Sequence, residues 1–155
     1  MDLTTKGSAL IKILTDVDPE KIKNKYQNPS TNKEYPTGID RNDVSMTCTG
    51  SRSDVRNQGS TDLEFGAYPD DVVSFSSTTT PDNSAYAVSI YSIQNHSRDR
   101  IFSMPVTKEN SIELKVQGGG KTNLMLLFGI YTKDGNGKPK DLIGCFYFDS
   151  SITIR

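Results

Sequence analysis

Oxygen-bearing side chains gather at two places in the chain. The segment "KDGNGKPKD" (133–141) sets Asp134 and Asn136 two residues apart, with glycines between and after them, and Asp141 follows. Oxygen ligands on alternate residues of a glycine-rich turn can wrap a calcium ion. An EF-hand would need a further ligand where Lys138 stands, so the loop is not of that type. The competing reading is a hairpin tip in which Asp-Gly and Asn-Gly supply positive φ. The second place is "DRND" (40–43), which offers Asp40, Asn42 and Asp43. Sugar recognition draws on such carboxylates and amides at loop tips, with an aromatic ring against the C–H face of the sugar. With seven tyrosines and no tryptophan, that ring would be Tyr26, Tyr35 or Tyr68, each of which also reads as rim packing. The candidate ligand contacts are therefore Tyr35, Asp40 and Asn42, and the candidate calcium ligands are Asp134, Asn136 and Asp141.

Other chemistries fail on their preconditions. "GGGKT" (118–122) resembles the end of a phosphate-binding loop, but the required earlier glycine is Lys115 and the following "NLMLLFGIY" reads as a strand, not a helix. A flexible hairpin turn between two strands is the better reading. The single histidine, His96, cannot build a multi-histidine zinc site. It reads as a solvated loop residue, and no G-x-S-x-G elbow accompanies it. Cys48 and Cys145 lie among apolar or β-favouring neighbours, as buried free thiols do. No pair of carboxylates is singled out for glycosidase chemistry. The chain therefore reads as non-enzymatic.

Composition narrows the partners. Charged residues make up 24% of the chain, yet they nearly cancel to a net charge of −1. No Lys/Arg cluster forms the basic face that nucleic acid requires. The longest apolar run, "LMLLFGIY" (124–131), is far short of a membrane span. The first residues lack the shape of a signal peptide, which points to a cytoplasmic location or an unconventional route of release.

The elements that must position these loops are mostly strands. "ALIKILTDV" alternates loosely, and "DPEKIKNKY" follows with Asp18 as an N-cap, Pro19 in the first helical position and Glu20 in the first turn. One or two helical turns should end before Asn28-Pro29. The long polar stretch "KYQNPSTNKEYPTGID" (25–40) then reads as a loop stiffened by Pro29 and Pro36. "VSMTCTG", "TDLEFGA", "DVVSFSSTT", "AYAVSIYSI", "SIELKV" and "TNLMLLFGIYT" read as strands. "LIGCFYFD" and "SITIR" close the chain as one bent strand or two short ones. Eight or nine strands with almost no helix predict an all-β, antiparallel β-sandwich of jelly-roll or lectin-like type, formed as one domain over residues 1–155, with a closed barrel as the alternative. The polar residues before about Ser8 should be loose.

Several of these segments together resemble a known family. "ILTDVDPEKIKNKYQNPSTNKEYPTGID", "GSTDLEFGAYPDDVVSF", "AVSIYSI" and the ending "LIGCFYFDSSITIR" are similar to the bacterial inclusion body protein family of the AidA/PixA type. Asp70 stands where the family pattern has glycine, Cys145 and Phe148 stand at usual Tyr and Trp positions, and Ser150 replaces a proline. The resemblance implies a small protein linked to quorum-controlled expression, host interaction or dense intracellular inclusions. It carries over no catalytic residue. By analogy with small bacterial lectins, it implies a self-associating protein that binds glycans. Edge strands need a partner or protection, so a homodimer through a sheet edge or face is expected. The late Asp/Asn-Gly loop would then supply a calcium site. A storage protein whose only partner is itself is the alternative.

Overall fold

A computed structural model of the chain describes residues 7–155, so the expectation of a loose start falls mostly outside the described residues. Period-2 patterning sets its frame. In β1 (Leu10–Val17) the side chains of Ile11, Ile13, Thr15 and Val17 are buried while Leu10, Lys12 and Leu14 are exposed. Helix α1 (Pro19–Lys25) follows at once. Asp18 caps it by accepting from the Lys21 N–H at 3.1 Å, and Pro19 opens its first turn.

Ten strands form two sheets among the described residues. One runs in the order β3 (Val44–Thr49), β1, β5 (Val72–Thr79), β8 (Ile112–Lys115), β7 (Val106–Thr107). The other runs β2 (Thr37–Gly38), β10 (Pro139–Ile154), β9 (Gly120–Lys133), β6 (Tyr86–Gln94), and β4 (Glu64–Phe65) adds to β10 beside β2. The continuously apolar segment is the central β9, as its pattern predicted. The core between the sheets is rich in phenylalanine. Phe65, Phe75, Phe128, Phe146 and Phe148 are fully buried, and the Phe128 and Phe146 rings stack at 5.6 Å. Each such side chain stabilises the fold by about 2 to 3 kcal/mol relative to exposure.

The all-β expectation holds, but the sheets are mixed rather than antiparallel. β1 and β5 run parallel along their whole length, and β2 and β4 both join β10 in parallel. Parallel neighbours need a long crossover, and residues 18–71 provide it, with β3 pairing back on the far side of β1. Asp71 fixes where that parallel pair starts. Its carboxylate accepts from the Ala9 N–H at 2.8 Å and the Tyr68 N–H at 2.8 Å, and from Arg52 at 2.7 and 2.9 Å. Its own carbonyl accepts from the Val116 N–H at 2.8 Å, so one residue ties the starts of β1 and β5 to the end of β8.

Two further expectations change. The glycine run is not a hairpin turn: β8 and β9 lie in different sheets, so Gly118–Gly120 carries the chain from one sheet to the other, with Gly120 at φ +123°. In β6 the alternation breaks at a bulge between Ile90 and Ser92, which turns Ile93 into the core. The chain end is a single strand of sixteen residues, β10, with register shifts between Pro139 and Gly144.

The edges of β10 and β3 are covered. Along the free side of β10, the Cys145 N–H donates to Ser30 O at 2.7 Å, and the Ser151, Thr153 and Arg155 N–H groups donate to Thr61, Leu63 and Phe65 at 2.9 Å. On β3 the Gln58 amide imitates a strand partner, accepting from the Cys48 N–H at 2.9 Å and donating to its carbonyl at 2.7 Å. Such covers stop sheets from pairing edge to edge. On the remaining side the two sheets meet where the Ser77 hydroxyl donates to Val88 O at 3.2 Å, and they part further along.

Candidate functional site

The stiffened loop 26–43 is built around one buried carboxylate. Asp43, only 6% exposed at its side chain, accepts from Lys25 at 2.9 and 3.0 Å and from the Tyr26 hydroxyl at 2.6 Å, with Lys21 at 3.6 Å. Burial pushes its carboxyl up, but the hydrogen bonds from Tyr26 and Lys25 outweigh burial and hold it below the usual range. The Tyr26 hydroxyl also accepts from the Asp40 N–H at 2.8 Å. Asp40 in turn caps a single 3-10 turn, Arg41–Asp43, by accepting from the Asn42 N–H at 2.9 Å. Asn28 adopts φ +57°, which seats Pro29 on the sheet so closely that a Cβ on Gly144 would lie 2.7 Å from the Pro29 ring. Of the predicted ligand contacts, Tyr35 stands 71% exposed at the loop tip, while Asp40 and Asn42 are engaged in the turn.

Arg41, between those two residues, reaches a different place. Its guanidinium pairs with Asp62 at 3.1 Å on the rim of a hollow of about 430 Å³ lined by polar residues. The floor is a grid of neighbours on three strands. Glu64, Thr153 and Lys121 lie side by side across β4, β10 and β9, and Ser151 and Asn123 form the next row. Glu64 is anchored by Arg56 at 3.2 Å and Arg155 at 3.4 Å. The side chains of Lys121, Asn123 and Thr153 have no hydrogen-bond partner among the described residues, so they face the hollow with donors and acceptors free. Strand spacing of about 4.8 Å matches the scale on which hydroxyls ring a sugar. Alternation in "TDLEF" already turned Asp62 and Glu64 outward. What it did not reveal is that β4 joins β10 in parallel and sets them beside Asn123.

The "KDGNGKPKD" loop is the hairpin between β9 and β10. Asp134 Oδ1 accepts from the Asn136 N–H at 2.8 Å and the Lys138 N–H at 2.9 Å, and Gly137 takes φ +77°. These amides hold the Asp134 carboxyl below its usual range. Asp141 is exposed on β10, its N–H donating to Thr132 Oγ1 at 3.0 Å. Among the described residues no group of three or more His, Cys, Asp or Glu gathers as a metal site. Asp134 Oδ1 closes the turn, as the hairpin reading of this loop expects.

A larger concavity lies at the open end of the seam between β6 and β8. It is a cleft of about 900 Å³ floored by Ile93, Phe102 and Leu114. The segment 95–105 walls it and is firmly tied. Ser103 N–H donates to Lys115 O at 2.9 Å, Gln117 N–H to Ile101 O at 2.7 Å, and Thr122 donates to Asp99 at 2.7 Å. Burial pushes the Asp99 carboxyl up, but hydrogen bonds from Thr122, the Ile101 amide, Asn95 and Ser97 outweigh it and hold it below the usual range. Met104 stands on the lip, 83% exposed. No sequence pattern marked this cleft, because its floor and wall come from separate strands.

The remaining candidates are structural. His96 is exposed and contacts Gln94 at 3.1 Å. Cys48 and Cys145 are buried free thiols, and burial pushes the Cys48 thiol up to about 11. No helix among the described residues is long and apolar enough to cross a membrane.

Comparisons with known proteins bear on the whole frame. Residues 9–114 match the family described as PixA, inclusion body protein. The fold is similar to a crystal structure of an inclusion body protein of that family from Burkholderia cenocepacia J2315, with a TM-score of 0.80 and 28% identity over 100% of both chains. A cysteine protease inhibitor from Entamoeba histolytica aligns at a TM-score of only 0.26, with 21% identity over 55% of this chain and 78% of that one. No curated protein matches the chain in sequence.

Proposed function

We propose, for a chain that belongs to the PixA inclusion body protein family, a non-enzymatic role: a self-associating protein that binds glycans in the polar hollow beside Arg41. The observation that carries this reading is the floor of free hydrogen-bonding side chains, Lys121, Asn123 and Thr153, flanked by carboxylates that arginines hold in place. Sugars are recognised by such fixed polar groups. Contact with host glycans is the setting the family resemblance suggests. Self-contact runs through sheet faces in this reading, since the β10 and β3 edges are already covered.

A glycan array followed by calorimetry, with and without calcium, tests the proposal. Asn123→Ala and Arg41→Ala should each weaken the best ligand about tenfold, and chelation should leave affinity unchanged. The absence of any binding in both conditions would sink the glycan part. The second reading, a storage protein without a ligand, is supported by the family's description as inclusion body proteins. Sedimentation separates the two: assembly that grows with concentration, without sugar affinity, favours storage.

A further inference from the structure

The chain covers the β10 and β3 edges but leaves the β6 edge open. β6 ends its sheet, and beyond the Ser77 contact no described residue pairs with its free side. The direction of its main-chain groups follows from that contact. Val88 O accepts from Ser77, so Val88 faces the free side. Alternate residues of an antiparallel strand share that direction. The bulge after Ile90 shifts the phase by one, so Ile90 and then Ile93 turn N–H and C=O the same way. Opposite lies the edge of the other sheet. Gln117 N–H donates to Ile101 O and Ser103 N–H to Lys115 O, so the intervening Phe102 and the following Met104 turn their main-chain groups outward. Ile93, Phe102 and Met104 all line the cleft, whose apolar floor of Ile93, Phe102 and Leu114 side chains is 7% exposed or less. Asp99 and Arg100, neighbours on its rim, carry opposite charges.

We propose that an extended, uncharged peptide segment of a partner protein docks in this cleft as an added strand on the β6 edge, with alternate apolar side chains on the floor. Free N–H and C=O groups at strand spacing call for a backbone, because only a backbone returns donors and acceptors at that spacing. The apolar floor selects the side chains that point down. The opposed charges of Asp99 and Arg100 give no advantage to a charged occupant. The molecule already holds one segment docked this way. In "TDLEF" (61–65) the carbonyls of Thr61, Leu63 and Phe65 accept from the β10 edge at 2.9 Å, and the Leu63 and Phe65 side chains are fully buried. At β6 the equivalent segment comes from outside the chain. About five residues of it would span the open part of the strand.

Fluorescence polarisation on the full chain, with a capped and labelled heptapeptide that alternates valine and threonine, tests this. The peptide should bind saturably, and serine in place of every valine should weaken it about tenfold. Ester bonds in place of alternate amides remove the donors from one edge of the peptide. Of the two ester series, one for each edge, at least one should bind about tenfold more weakly. Amide hydrogen exchange at Ile93 should slow about tenfold in the peptide-saturated chain. Met104→Glu, on an exposed lip, should weaken the peptide and leave the melting temperature unchanged. Asn123→Ala, in the polar hollow, should leave peptide binding unchanged. The proposal is overturned if the peptide does not bind saturably, if both ester series bind as well as the parent peptide, or if exchange at Ile93 does not change. It is also overturned if Asn123→Ala weakens the peptide as much as Met104→Glu does. Slower exchange at Ile93 with rising protein concentration alone, without peptide binding, would overturn it in favour of a second copy of the chain.

Discussion

The two flanks of the sandwich use polar residues in opposite ways. On the β10 flank, loops 26–43 and 50–66 bring their hydrogen-bonding groups onto strand edges, and Tyr26, Asp43 and Gln58 each meet two or more partners. On the β6–β8 flank, the Ser77 hydroxyl bridges the seam to Val88 and the rest opens into a cleft. A polar group with all its partners in the fold stabilises the fold. One left without a partner at a concave, preformed surface is available to a ligand. The difference explains why loop 26–43, the longest irregular stretch early in the chain, is a brace first and touches the candidate glycan site only through Arg41.

Asp71→Asn would break the braced side most severely, because it unpairs Arg52 from a nearly dry carboxylate that also starts β1 and β5. Urea unfolding should show a loss of about 3 kcal/mol. Acid sharpens the same point. The Arg52 hydrogen bonds lower the Asp71 carboxyl to about 2, aided by the Tyr68 and Ala9 amides and opposed by burial. Because the folded value lies below the unfolded value of about 3.9, the contribution is complete above that value and fades as pH falls toward about 2. The parent chain should lose roughly 2 kcal/mol across that window that Asp71→Asn does not lose.

Tyr26→Phe removes the hydroxyl that joins Asp40 to Asp43 and should cost about 1 to 2 kcal/mol by thermal unfolding. Gln58→Ala uncovers the β3 edge. It should cost about 1 kcal/mol, and light scattering should show faster aggregation near the melting temperature. Asp70 sits at φ +76° where the family pattern has glycine, so Asp70→Gly should stabilise the fold by about 0.5 kcal/mol. On the open flank, Arg100→Gln should shift stability by less than about 0.5 kcal/mol. A larger loss there would erase the contrast between the flanks.

Much of this was legible in particular residues. Asp18 and Pro19 marked the start of α1, the loose alternation of Leu10, Lys12 and Leu14 against Ile11 and Ile13 marked a strand, and Asp-Gly-Asn-Gly marked a hairpin. The sequence directed attention to Asp40 through Asp43, but not to where each side chain finds its partner. Asp40 and Asp43 satisfy hydrogen bonds with Asn42, Tyr26 and Lys25, and Arg41 pairs with Asp62 on the rim of the hollow. Spacing along the chain cannot show whether a side chain finds its partner nearby or far away.

What the sequence determined by itself is which residues face in, because strand periodicity is local and depends only on neighbours two apart. It determined the all-β class, the capped helix, the turn chemistry and the family likeness. Which strands lie side by side was decided only in three dimensions. The parallel pairing of β1 with β5 and of β4 with β10, and the parting of β6 from β8, depend on contacts between residues far apart in the chain. Both candidate sites lie where such distant strands meet or part.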